Sequence, residues 1–136
     1  MPDIKDLIKD EYEFQLADVQ FHQLDDETSE DIEYSIHVHD ELKTDIQEND
    51  LCVTITRKAA LEPRGVFEAS VQFKVVLHFC DEASREEAKK IDWITELKKQ
   101  NATFIINVTS RISGVLSSLT AAAGQVPLIT PPTIIG

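Results

Sequence analysis

Residues 67–79 read FEASVQFKVVLHF and carry the clearest β-strand pattern in the chain. Every second residue from Phe67 to Phe79 is apolar, and the positions between them include Gln72 and Lys74. Successive side chains of a strand point to opposite faces, so this alternation predicts one buried face and one face in contact with solvent. We therefore expect an antiparallel sheet that packs only one of its faces against other elements.

Three segments before this strand show the same alternation, over residues 12–24, 32–39 and 51–56. In the first of them the phase slips, and a bulge near Ala17 and Asp18 would keep the later apolar residues on the core side. Short polar connections separate the segments. Four consecutive strands joined in this way predict a four-stranded antiparallel meander.

After the last strand, the apolar period changes to that of a helix. Ser84 is a candidate N-cap for a shorter helix that ends near Asn101. A longer helix is predicted over about residues 103–123, with Gly124 as its stop, and the proline-rich segment after it is predicted to be extended. The expected fold is a single α+β domain in which the sheet packs with a long C-terminal helix and a shorter one.

The charge is distributed unevenly along the 136 residues. Residues 1–50 contain 17 acidic and 3 basic side chains, a net charge of −14, whereas the remainder contains 8 and 10, a net charge of +2. A nucleic acid would be repelled by the first half and would find no basic stripe in the second, so nucleic acid is not an expected partner. The acidic half serves either solubility or the docking of a basic protein.

The sequence shows no pattern that indicates catalysis or a cofactor. Cys52 and Cys80 stand outside any CxxC motif and have no base at a recognisable spacing, so a nucleophile and a structural zinc site are both disfavoured. His37 and His39 would share one strand face and could begin a metal site, but no third ligand follows from the sequence. We expect a protein that is not an enzyme and binds neither a cofactor nor a metal.

No segment is long and apolar enough to span a bilayer, and the first residues, MPDIKDLIKDEYEF, lack the order of a secretory signal. We therefore expect no membrane insertion and a cytoplasmic location.

The predicted long helix is unusual because Arg111 is the only charged side chain between Asn101 and Gly136. Small residues form one of its faces, and a face without charge or bulk lets another backbone approach closely. The helix is therefore expected to be covered on both sides, by the sheet and by either the terminal segment or another subunit. We predict a homo-oligomer with these residues at its interface: Ser110, Gly114, Ser117 and Ala121. The alternative is a small-residue face that simply meets water.

The stretch from Leu116 to Ile134, LSSLTAAAGQVPLITPPTI, resembles the SecB family at the end of its first long helix and in the segment that follows. Gly124 corresponds to the helix stop, and Pro127 to the turn after it. Val126 replaces the usual aromatic residue, and the chain is similar to a shortened SecB-like relative, such as the poorly characterised Gram-positive ones. The order of strands and helices matches that family over most of the chain.

This resemblance implies a tetrameric, ATP-independent holdase that binds unfolded polypeptides in apolar grooves and docks to the SecA export motor through an acidic sheet surface. A specific adaptor, such as an antitoxin-associated SecB-like partner, is the alternative. Four apolar residues are candidates for the polypeptide-binding groove, although a core or interface role fits them equally well: Val126, Leu128, Ile129 and Ile134.

Overall fold

The computed structural model describes residues 4–23, 35–62, 67–100, 103–122 and 128–131. Within these residues, a short 3-10 turn at Ile4–Asp6 precedes four strands, β1 (Ile8–Gln23), β2 (Ser35–Gln47), β3 (Asp50–Glu62) and β4 (Phe67–Phe79). Three helices follow, α1 (Glu82–Ala88), α2 (Trp93–Gln100) and α3 (Thr103–Ala122). The predicted α+β class is confirmed, as are the four-stranded antiparallel sheet and the long C-terminal helix.

The strands lie in the order β1-β4-β3-β2, and all neighbours are antiparallel. Strands β2, β3 and β4 form the predicted meander, but the expectation that β1 would lie beside β2 was wrong. Residues 24–34 separate β1 from β2, and an extended chain covers about 3.3 Å per residue. A segment of that length can cross three strand spacings of about 4.8 Å each, so β1 is not restricted to a hairpin with β2.

The predicted bulge in β1 is confirmed. Leu16 lies opposite Phe73 and Asp18 lies opposite Gln72, which leaves Ala17 as the extra residue. The bulge returns the apolar positions to the core face, where Phe21 stacks on Phe67 with 5.7 Å between ring centroids.

The core lies between the inner face of the sheet and the helices. All seven odd-numbered residues of β4 are buried, as its alternation predicts. Helix α3 turns a stripe of apolar side chains towards them, and burying such a side chain fully contributes about 1.5–3 kcal/mol. The central residues of this core are Leu51, Val53, Ile55, Val71, Val75, Leu77, Leu97, Ile105, Val108, Ile112 and Leu116.

The region after β4 forms two helices where a single one starting at Ser84 was expected. Asp81 is the N-cap of α1, and its Oδ1 accepts a hydrogen bond of 2.7 Å from the backbone N–H of Ser84. Helix α1 ends at Ala88, whose carbonyl accepts a hydrogen bond of 3.0 Å from the indole of Trp93 at the start of α2. The apolar spacing was read correctly, but it runs across two helices joined by this tryptophan.

Asp81→Ala is expected to lower the melting temperature at pH 7, because it removes the cap of α1. The hydrogen bond from the backbone N–H of Ser84 lowers the pKa of Asp81. The carboxylate therefore stabilises the folded state at neutral pH. This contribution begins to fall when the pH drops below about 4, the pKa of an aspartate in an unfolded chain, and it is lost once the pH has passed through the lower pKa of the folded state. The difference in melting temperature between variant and wild type should narrow in acid, as circular dichroism between pH 3 and 7 would show.

Glu82→Ala is the matched control, since it removes one negative charge from the first turn of the same helix without removing the cap. A gap between Asp81→Ala and wild type that stays constant or widens in acid would contradict this account.

Candidate polypeptide-binding groove

An apolar groove of about 770 Å³ lies between the edge strand β1 and helix α3. On the sheet side it is lined by Phe14, Gln15, Leu16 and Phe73, and on the helix side by Arg111, Gly114, Val115, Ser118, Leu119 and Ala122.

The groove exists because small residues of α3 face large apolar residues of the sheet. Leu16 points to the core face of β1 but is 49% exposed. Gly114 and Ser118 on the facing part of α3 have too little side chain to cover it. A Cβ atom added at Gly114 would meet no atom of another described part of the chain within 4 Å, so the helix backbone borders open space there. An exposed apolar surface of this shape is typical of a site for another molecule.

Three contacts hold α3 against β1 at one end of the groove. The ring of Tyr12 lies 5.9 Å from that of Phe104, and the hydroxyl of Tyr12 accepts a hydrogen bond of 2.6 Å from the amide of Asn107. The guanidinium carbon of Arg111 lies over the ring of Phe14 at 4.5 Å from the ring centroid. These contacts fix the separation of the two groove walls.

A buried ion pair connects the elements on the other side of α3. Arg57 and Asp40 are 0% and 3% exposed, and the guanidinium donates two hydrogen bonds of 2.8 Å to the carboxylate, from Nε to Oδ1 and from Nη2 to Oδ2. Nη1 of Arg57 donates to Ser113 Oγ at 3.1 Å, Thr130 Oγ1 at 2.8 Å and the carbonyl of Pro131 at 2.7 Å. One guanidinium therefore joins two strands, α3 and the segment of residues 128–131.

Sequence analysis missed this cluster, although the sequence contains a signal for it. Asp40 and Arg57 occupy core-facing positions in the alternation of β2 and β3, and they lie directly opposite each other in the sheet. Opposite charges at inward positions of two neighbouring strands indicate a buried pair, because a single charge would not be tolerated there. The predicted third strand ended at Thr56, one residue before Arg57.

Two of the four predicted groove residues, Val126 and Ile134, lie outside the described residues. Leu128 is buried, and its backbone N–H donates a hydrogen bond of 2.9 Å to Thr120 Oγ1. Ile129 is 87% exposed. Neither Leu128 nor Ile129 lines the groove described above, and their role in binding a polypeptide stays a prediction.

The predicted interface residues lie on one face of α3. Ser110, Gly114 and Ala121 are exposed in the single chain, and Ser117 is half-buried. The segment 128–131 covers the neighbouring side of the helix, where Ser113 Oγ donates a hydrogen bond of 2.9 Å to the carbonyl of Thr130. Part of the expected cover is therefore this segment, and an interface on the remaining small residues stays a prediction.

The outer face of the sheet holds the histidines and Cys52. His37 and His39 are exposed, and within the described part of the chain no group of three His, Cys, Asp or Glu residues is placed to hold a metal ion. Burial, and then the charges of Asp50 and Asp45, raise the pKa of the Cys52 thiol, which disfavours the reactive thiolate.

None of the helices in the described ranges is long and apolar enough to cross a membrane.

No protein-family model and no curated protein matches the sequence. Among solved structures, the chain is similar to the SecB-like chaperone Rv1957 of Mycobacterium tuberculosis, determined in complex with a ChAD peptide from the Rv1956 HigA1 antitoxin. The TM-score is 0.61 at 14% sequence identity, over 90% of this chain and 87% of that one. The chain therefore has a SecB-like fold.

Replacing Arg57 with Met is expected to lower the free energy of unfolding by about 3–5 kcal/mol, because Asp40 is left buried without its guanidinium partner. The double variant Arg57→Met/Asp40→Leu should recover much of this loss, since it removes both charges and retains apolar volume. Urea unfolding of the wild type, both single variants and the double variant measures the coupling.

Lys58→Met is the matched control, because Lys58 pairs with Glu41 at 3.2 Å on the exposed face, where such a pair contributes little. Equal losses for Arg57→Met and Lys58→Met would contradict the central role of the buried pair.

Proposed function

We propose that this protein is a non-enzymatic, cytoplasmic molecular chaperone of the holdase type that binds exposed apolar segments of other polypeptides in the groove between β1 and α3. The observation that carries the proposal is the groove itself, which is open, mostly apolar and built on two regular elements. A holdase needs apolar surface that accepts many sequences, and the lining of Phe14, Leu16, Phe73, Val115 and Leu119 makes few demands on the shape of a ligand.

The position of β1 supports binding of an extended chain. In the described sheet β1 is an edge strand with a neighbour, β4, on one side only. An edge strand can offer backbone N–H and C=O groups to an added strand, which gives affinity that does not depend on sequence. Apolar side chains of the bound segment would then enter the groove beside Leu16.

The SecB-like neighbour supports a role in protein binding, since its structure holds a peptide from an antitoxin. That complex also supports the second candidate function, a specific adaptor with one dedicated partner. The two functions differ in the number of unrelated polypeptides that the protein protects. The uncharged small-residue face of helix α3 in this chain supports assembly into a homo-oligomer, a dimer or tetramer, through Ser110, Gly114, Ser117 and Ala121, of which Gly114 also borders the groove.

The proposed holdase function predicts that the purified protein suppresses the aggregation of several unrelated, chemically unfolded proteins. Light scattering measures this aggregation. Leu16→Ser should weaken this protection several-fold, because it removes apolar surface from the groove wall. The side chain is 49% exposed, so the substitution should leave the melting temperature nearly unchanged.

Ile36→Ser is the matched control, because Ile36 is a similarly exposed apolar residue of the same sheet, 51% exposed, that does not line the groove. Protection of a single client only would favour the adaptor. Equal protection by both variants would place the binding surface elsewhere.

Ala121→Arg tests the proposed assembly. A long charged side chain in the small-residue face would prevent close approach of another backbone, so the native mass measured by sizing chromatography with light scattering should decrease. Ala83→Arg is the control, since Ala83 is also an exposed helical alanine but lies on α1. A wild-type protein with the mass of one chain would reject the interface.

A further inference from the structure

Arg111 is the single charged residue among those that line the groove. It is exposed, and its guanidinium is held over the ring of Phe14. Among the described residues, no carboxylate lies within 4.0 Å of its nitrogen atoms. The groove therefore has apolar walls and one cation at a defined place.

The contact with Phe14 prepares this cation to bind an anion. A guanidinium that lies over an aromatic ring is attracted by the π face of the ring, and N–H donors remain free to meet an acceptor. The planar arrangement of these donors matches the two oxygen atoms of a carboxylate. Phe14 thus holds Arg111 in a fixed orientation and reduces the side-chain entropy that an ion pair at the surface would otherwise lose.

The local charges leave this place open to a carboxylate, although the whole chain is acidic. The sequence has no acidic residue from Asn101 to Gly136, which includes all of α3. The nearest acidic position on β1, Glu13, lies between the inward-facing Tyr12 and Phe14 and therefore points to the other face of the sheet. The net charge of −12 repels an acidic ligand at long range, but salt screens exposed charges beyond about 8 Å at physiological ionic strength.

We propose that Arg111 gives the groove a preference for apolar polypeptide segments that carry an acidic residue at the end of the groove where Arg111 lies over Phe14. This inference rests on the proposed function, because it concerns the ligand of the same groove. The apolar part of the segment packs against Leu16, Val115 and Leu119, and its carboxylate meets the edge of the guanidinium.

Fluorescence anisotropy with three labelled peptides tests the preference. The peptides have blocked termini and the same apolar core, and they differ only in the residue after the core, which is Glu, Gln or Lys. The wild type should bind the Glu peptide about two- to fivefold more tightly than the Gln peptide, which is the range of exposed ion pairs, and the Lys peptide least tightly. The preference should diminish as salt is added. A fourth peptide, with Glu before the core, tests the placement of the carboxylate. One of the two Glu peptides should bind more tightly than the other, and which one it is reports the direction in which the chain enters the groove. Equal affinities of the two Glu peptides would contradict a carboxylate placed at Arg111.

Variants of Arg111 connect the preference to this side chain. In Arg111→Gln the affinities for the three peptides should converge, in Arg111→Lys part of the preference should return, and in Arg111→Glu the Lys peptide should bind most tightly. The same order of affinities in the wild type and Arg111→Gln would overturn the inference while leaving polypeptide binding intact. Absence of binding for all peptides, with intact circular dichroism, would overturn the proposed function and this inference together.

Discussion

The buried pair of Arg57 and Asp40 is the interaction on which the arrangement of the other elements depends. Removing two charges from water is costly, and the structure compensates with a bidentate ion pair and with further acceptors at Nη1 of the guanidinium. Those acceptors come from α3 and from the segment after it, through Ser113, Thr130 and Pro131. The helix cannot slide or rotate on the sheet without exposing or isolating a buried charge, so its position relative to β1 is fixed as well.

Helix α3 consequently has three different surfaces. One packs into the core through residues such as Ile112 and Leu116, and a second meets Arg57 and the segment 128–131 through Ser113. The third surface, with Gly114 and Ser118, faces β1 and leaves apolar side chains of the sheet uncovered. A glycine in the middle of a helix lowers its stability by about 1 kcal/mol relative to alanine, and a larger residue here would have covered part of the groove. The sequence thus favours an open surface over a more stable helix.

Patterns of alternation and period predicted most of the fold. The bounds of β4, the extent of α3 and the bulge at Ala17 follow from local sequence, because the burial of one face determines them. The place of β1 beside β4 does not, since alternation shows which face is buried and not which strand is adjacent. The groove was missed for a related reason. It lies between residues that are about a hundred positions apart, such as Leu16 and Ser118, and its apolar wall has the same pattern as any core strand.

Strand β1 has an exposed edge and an apolar face, but it also has features that limit its pairing with other strands. An exposed edge with an apolar face promotes pairing between copies and aggregation. The opposite face of β1 carries exposed acidic residues, including Glu13 and Asp18, and the bulge at Ala17 interrupts the regular edge next to Leu16. Charge on one face and an irregular edge are both features that limit uncontrolled strand pairing. Acidic residues and the apolar groove therefore lie together on β1, and like charges on this strand disfavour its pairing with β1 of another copy.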